Sequence, residues 1–243
     1  MKLAGRVGLV TGAGRRVGKA LALALGDESM RVAVHYNTAR EGAEEVVRQI
    51  VDRGGEAEVF HADLGDQHAP ADLVDRVQRH FGALDVVINS AAVMERTPVG
   101  EVTPEMWDRI LAVNLRAPFF IAQAAAPCLR AARGAIVNIA DLAAFESWPG
   151  YVPHSISKAG IVKMTAALAR VFAPDVRVNA IAPGAVLLPE EWDESTGERL
   201  AQTTPLARLG DPEDVVYAMM YLLRAGYVTG ETLIVDGGRH IRK

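Results

Sequence analysis

His154 and Lys158 stand four residues apart in a stretch with helical spacing, so their side chains project from one face. An imidazole that changes charge near neutral pH can act as a general acid or base, and a neighbouring ammonium opposes its protonation. A second chemistry-bearing set opens the chain. The run Arg6-Val7-Gly8-Leu9-Val10 is followed by Thr11-Gly12-Ala13-Gly14-Arg15-Arg16-Val17-Gly18 and then by a helical pattern from Ala20 to Leu25. Strand, glycine-rich turn and helix aim backbone N–H groups and a positive helix end at a phosphate. Gly12 allows the tight turn, and Gly18 lets the helix pack close to the strand.

The end of the second predicted strand narrows the ligand. An NAD site usually carries a carboxylate there to bind the ribose 2′-hydroxyl. Here Arg31 to Tyr36 runs into Asn37-Thr38-Ala39-Arg40, with no acidic residue. Arg15, Arg16, His35, Asn37, Thr38 and Arg40 instead form a set of cationic, amide and hydroxyl donors suited to a 2′-phosphate. The expected cofactor is NADPH/NADP+ rather than NADH.

These residues need elements to position them. Strands are predicted at Arg6–Val10, Arg31–Tyr36, Glu56–Phe60, Leu84–Ile88, Ala135–Ala140, Val176–Ile181 and Thr232–Val235. Helices fall between them, at Ala20–Leu25, Glu41–Asp52, Ala69–Phe81, Pro104–Ala132, Tyr151–Phe172 and Asp211–Leu223. Thr103 is placed to cap the fourth, and Gly82 to stop the third. Strict alternation predicts an α/β fold, a doubly wound parallel sheet of Rossmann type, as a single domain over residues 1–243. The net charge of −4 argues against nucleic-acid binding. Apolar runs read as too short to span a bilayer, and no signal-peptide pattern opens the chain, so the expected location is cytoplasmic with no membrane partner. The lone Cys128 excludes an internal disulfide, and no metal site is expected.

Thr11-Gly12 to Gly18, Asp63, Asn89-Ser90-Ala91, Asn114, Asp141, Lys158, Pro183-Gly184 and Val235-Asp236-Gly237-Gly238 together resemble the short-chain dehydrogenase/reductase family across essentially the whole chain. Arg16 where that family usually has glycine, His35-Tyr36 at the strand end, and Asp141 where it usually has serine resemble its pteridine reductase branch. The resemblance implies that Asp63 binds the adenine amino group with Leu64 lining the pocket. It also implies that Gly12, Val17, Tyr36, Asn89 and Ala91 lie along the cofactor, and that Pro183 and Gly184 meet its nicotinamide end. Asn114 would hold a water in a proton relay toward Lys158, which would bind the nicotinamide ribose. The family's proton donor is a tyrosine at the position of His154.

An Asp141–His154 pair would therefore replace the branch's aspartate and tyrosine. Asp141 favours the imidazolium and Lys158 disfavours it, so the sequence leaves the balance open. The resemblance implies a substrate lid at about 185–210 and substrate walls at Met94, Trp148, Tyr151 and Trp192, with Met94 standing where pterin binders carry an aromatic ring. The function expected is NADPH-dependent reduction of a small C=O or C=N substrate, pterins included. The alternatives are a noncatalytic NADP(H)-binding regulator or scaffold, and a 3-oxoacyl-carrier reductase. The two long helices resemble a family dimer interface and the C-terminal segment a second one, implying a homotetramer or homodimer.

Overall fold

Runs such as Val86-Val87-Ile88 and Ala135-Ile136-Val137 are apolar on both faces, as strands must be when helices cover a sheet from both sides. The computed structural model describes residues 1–187 and 194–241. Its strands are β1 (Val7–Val10), β2 (Arg31–Tyr36), β3 (Glu56–His61), β4 (Val86–Asn89), β5 (Ala135–Ile139), β6 (Arg177–Pro183) and β7 (Thr232–Val235). They pair in parallel in the order β3-β2-β1-β4-β5-β6-β7. The helices are α1 (Arg16–Asp27), α2 (Arg40–Asp52), α3 (Ala69–Phe81), α4 (Pro104–Leu111), α5 (Ala117–Ala132), α6 (Val152–Phe172), α7 (Glu194–Gln202) and α8 (Pro212–Arg224).

Leu21 and Leu25 of α1, Val46 of α2 and Met219 of α8 share one core with one face of the sheet. Leu73 of α3, Ile121 and Leu129 of α5, and Leu168 of α6 share the other. Each such buried side chain contributes roughly 1.5–3 kcal/mol relative to exposure. The strand order reverses between β1 and β4, and there the crossing connections diverge to leave a crevice beyond the carboxyl ends of the strands.

Local signals set the boundaries. Thr103 Oγ1 accepts the Met106 N–H at 3.3 Å, capping α4, and Gly82 ends α3 in the left-handed region at φ 72°. The span predicted as one helix from Pro104 to Ala132 holds a π turn at Ala112–Arg116 between α4 and α5. A π turn inserts a residue without disturbing apolar spacing enough to be read from sequence. The combined 29-residue span is long and apolar enough to cross a bilayer by length and composition, correcting the sequence reading. Its apolar stripe, Ile110, Ala117, Ile121, Ala125 and Leu129, is buried within the protein, which marks it as a core helix. Helix α7 lies in the region expected to form the lid and was not resolved as an element by periodicity.

One contact joins α2 to the glycine turn. A Cβ on Gly42 would come within 2.1 Å of Gly14 O, and one on Gly14 within 2.6 Å of Ala39 O. Gly42→Ala is therefore expected to push α2 off the turn and lower stability by about 1–3 kcal/mol. Gly226→Ala, where a Cβ meets nothing within 4 Å, is the control. Equal thermal midpoints for the two variants would disprove the contact's importance.

Candidate active site

The crevice is a cleft of about 1370 Å³ that reaches from the glycine turn, past His154 and Lys158, to Trp148 and Leu200. Its floor is backbone. The Thr11 hydroxyl accepts the N–H groups of Ser90 and Ala91, each at 3.0 Å, drawing the ends of β1 and β4 together. Gly12 has φ 66°, and a Cβ there would lie 2.8 Å from Ala91 Cα. This bare turn, followed by the start of α1, fits the close backbone approach that a pyrophosphate needs.

The remaining cofactor candidates divide by what they can reach. Arg15, Asn37 and Thr38 are exposed at the cleft's edge, and Val17 and Tyr36 are half-buried along it. Asn37 Nδ2 donates to Asp63 Oδ1 at 3.2 Å, and that same oxygen accepts the Gly65 N–H, with buried Leu64 between them in sequence. Arg16 adopts φ 54°, in the region that favours glycine, and its guanidinium donates to Leu187 O at 2.7 Å on the far side of the cleft. Arg40 is paired with Glu44 on the surface.

Two residues take parts different from those expected. His35 is 1% exposed and has both ring nitrogens engaged inside the protein, so it cannot also donate to a 2′-phosphate. Asn89 is buried and donates to Asn138 Oδ1 at 2.8 Å, because a buried amide needs an internal partner. Ala91 keeps its place on the cleft wall, as do Pro183 and Gly184. A Cβ on Gly184 would lie 2.8 Å from Asp236 Cβ, which ties the end of β6 against the segment after β7.

At the chemical centre, His154 and Lys158 do share one face of α6, and both are buried. Asp141, at the end of β5, uses Oδ1 to cap the following short turn through the Ala143 N–H at 2.8 Å. Its Oδ2 lies 3.6 Å from His154 Nε2, within ion-pair reach but beyond a hydrogen bond. His154 Nδ1 lies 3.2 Å from Val93 O, an acceptor, and 3.5 Å from Asn114 Nδ2, whose two hydrogens have closer partners in Val93 O and Ser157 Oγ, so the carbonyl favours a proton on this nitrogen. Nε2 has no hydrogen-bond partner among the described residues. His154 itself lines the cleft, with this buried nitrogen left over beside Asp141.

Asn114, in the π turn, lies behind this wall. Its side chain accepts the Val93 N–H at 2.7 Å and donates to Val93 O at 2.9 Å and to Ser157 Oγ at 3.1 Å. It thus fixes the carbonyl that orients His154. Lys158 Nζ donates to Ile139 O at 2.8 Å. Burial lowers its pKa from 10.5 to about 8, with the Asp141 charge acting the other way. The part played by the Val93 and Ile139 carbonyls could not be read from sequence, since any residue type supplies a carbonyl.

Met94 is exposed at the rim, and Trp148 and Tyr151 form an edge-on pair with ring centroids 6.2 Å apart. The Trp148 indole donates to Glu146 at 3.0 Å, and Arg239 stands 4.0 Å from the same carboxylate. Arg239 and Leu200 also line the cleft, though sequence reasoning singled out neither. Trp192 lies outside the described residues.

A family model described as Enoyl-(Acyl carrier protein) reductase matches residues 12–240. Versicolorin reductase 1 of Aspergillus parasiticus is 37% identical, with 98% of this chain and 97% of that protein aligned. The 3-oxoacyl-[acyl-carrier-protein] reductase of Staphylococcus aureus is 32% identical over 96% of this chain and 97% of its own. Among solved structures, the angucycline C-6 ketoreductase LanV with bound NADP superposes with a TM-score of 0.92 at 31% identity, covering 99% of this chain and 97% of that one.

The buried ammonium predicts a measurable trade. Lys158 titrates lower in the folded chain than unfolded, so its cost is fully present below pH about 8 and fades as pH rises toward 10.5. At about 1.4 kcal/mol per pH unit the cost is roughly 3 kcal/mol, offset in part by the bond to Ile139. Lys158→Met is expected to raise the thermal midpoint of the cofactor-free protein near neutral pH, with a smaller gain in strong alkali. Calorimetry at both pH values checks this, and a lower midpoint near neutrality would refute it.

Proposed function

The chain belongs to the short-chain dehydrogenase/reductase family, and on that premise we propose that it reduces a small carbonyl compound with NADPH, using His154 as the proton donor. One observation carries the reading. His154 lines the cleft with its Nε2 unbonded beside Asp141, while Val93 O holds Nδ1, so the ring has a single uncommitted nitrogen.

The nicotinamide supplies a hydride when bound. Arg15, Arg16, Asn37 and Thr38 offer the donors that a 2′-phosphate selects, and the bare turn at Gly12 admits the pyrophosphate. Lys158 holds the nicotinamide ribose. As an imidazolium, His154 donates its Nε2 proton to the substrate oxygen as the carbonyl becomes an alcohol. Asp141 stands 3.6 Å from that nitrogen, and Asn114 keeps Val93 O in place so that the ring cannot turn over. In the neutral ring Nε2 is bare, so the same geometry accepts a proton when an alcohol is oxidised. The residues about 185–210 act as the substrate lid.

Trp148, Tyr151 and Met94 favour a flat, ring-bearing ketone. Arg16 and Asp141 keep a pterin in the substrate range, and the Staphylococcus aureus relative keeps a 3-oxoacyl thioester there. Phe119 and Phe120 on α5 and Ile156 on α6 are exposed apolar residues, which supports pairing of these helices with those of a second copy in a dimer or tetramer.

The test is NADPH and NADH oxidation with ring ketones, quinones, dihydropterins and a 3-oxoacyl thioester. NADPH should be strongly preferred. His154→Phe should lose ~10²–10⁴-fold in turnover. Tight NADPH binding without turnover on any of these would favour the noncatalytic regulator. Full activity in His154→Phe would remove His154 from the mechanism.

A further inference from the structure

His35 lies one strand away from the glycine turn, on the far side of β1 and β4 from Asp141 and His154, and its placement is unusual in how completely it is used. It is 1% exposed and sits at the end of β2, beside the glycine turn. Its backbone carbonyl accepts the Ala13 N–H at 2.8 Å. Its ring Nδ1 accepts the Gly12 N–H at 3.0 Å. One residue therefore takes up two successive amides of the turn. On the other side of the ring, Nε2 lies 3.1 Å from Ala62 O, at the start of the segment that carries Asp63 and Leu64.

The partners dictate the protonation state. The Gly12 amide can only donate, so Nδ1 must be bare, and the Ala62 carbonyl can only accept, so Nε2 must carry hydrogen. Only the neutral Nε2–H ring meets both demands. A second proton would set an Nδ1–H against the Gly12 N–H, two donors face to face.

We propose that His35 is a positioning residue for the cofactor: its neutral imidazole staples the glycine turn to the Asp63–Leu64 segment and so sets the spacing between the phosphate and adenine ends of the NADPH site. This rests on the reductase reading for the identity of the ligand, though the staple itself is independent of turnover. The ring's surroundings agree with a neutral state. Burial is the largest influence and lowers its pKa to about 4. The Ala62 bond acts the other way, His61 and Arg76 of α3 add to the lowering, and Asp63 opposes it. The sign follows. The unfolded chain binds the proton first, so fold stability declines as pH falls from about 6.5 toward about 4, while in the folded protein the staple itself persists until pH nears about 4.

The experiment compares three proteins by NADPH titration and by nitrogen NMR of the His35 ring. His35→Leu leaves the half-buried Gly12 amide without its acceptor, and the NADPH dissociation constant should rise about tenfold or more. In His35→Asn the side-chain oxygen can occupy the place of Nδ1, and affinity should return to within about threefold of the unaltered protein. The NMR spectrum near neutral pH should show protonated Nε2 and bare Nδ1. A leucine variant that binds NADPH as well as the unaltered protein would overturn the staple while leaving the reductase reading in place. A cationic ring or the Nδ1–H tautomer would overturn it even where the leucine variant does not fold. Failure of the unaltered protein to bind NADPH, with the Nε2–H tautomer present, would instead strike the reductase reading and the assignment of the ligand.

Discussion

The Thr11 hydroxyl accepts the amides of Ser90 and Ala91, and Gly12 stands so close to Ala91 that no side chain fits between them. This contact joins the two strands at which the sheet reverses its order. Because the ends of β1 and β4 are held backbone to backbone, the helices that follow must splay to opposite faces, and the cleft opens between them. Moving either strand end by the width of a methyl group would fill the floor on which a dinucleotide lies. The Gly14–Gly42 approach extends the same constraint outward to α2. Glycine is needed at these positions for space as much as for backbone freedom.

The chemical centre depends on a different balance. Lys158, His154 and Asn114 are all buried, and each is fixed by a backbone carbonyl or amide rather than by a charged partner. Dipoles of this kind hold polar groups in place without neutralising them. Asp141 supplies the compensating charge from a half-buried position, with one oxygen committed to a turn and the other facing the imidazole. The arrangement keeps three polar side chains buried and oriented.

Much of this was legible in the sequence. The glycine turn, the apolar strands, Thr103 and Gly82 located the elements to within a few residues, because capping and periodicity act locally. The shared face of His154 and Lys158 followed from helical spacing alone. His35 and Asn89 read as ligand-facing because their positions are near the cofactor, yet burial turned both toward internal partners. Nothing in a residue's type says whether it points into a cleft or beneath it. The bonds from Asn114 to Val93, and from Val93 to His154, were hidden for a related reason: they pass through main-chain atoms common to every residue.

The π turn at Ala112–Arg116 has a mechanical consequence for the fold. An α-helix keeps its two ends in angular phase, so a change at one end rotates the other. The extra residue in this turn resets that phase in the middle of a long span. Helix α5 can therefore keep Ile121 and Leu129 locked against the sheet, while α4 and the loop before it take the orientation that the cleft rim requires. The turn lets the two halves face different surroundings: α4 borders the cleft rim while α5 keeps its register against the sheet.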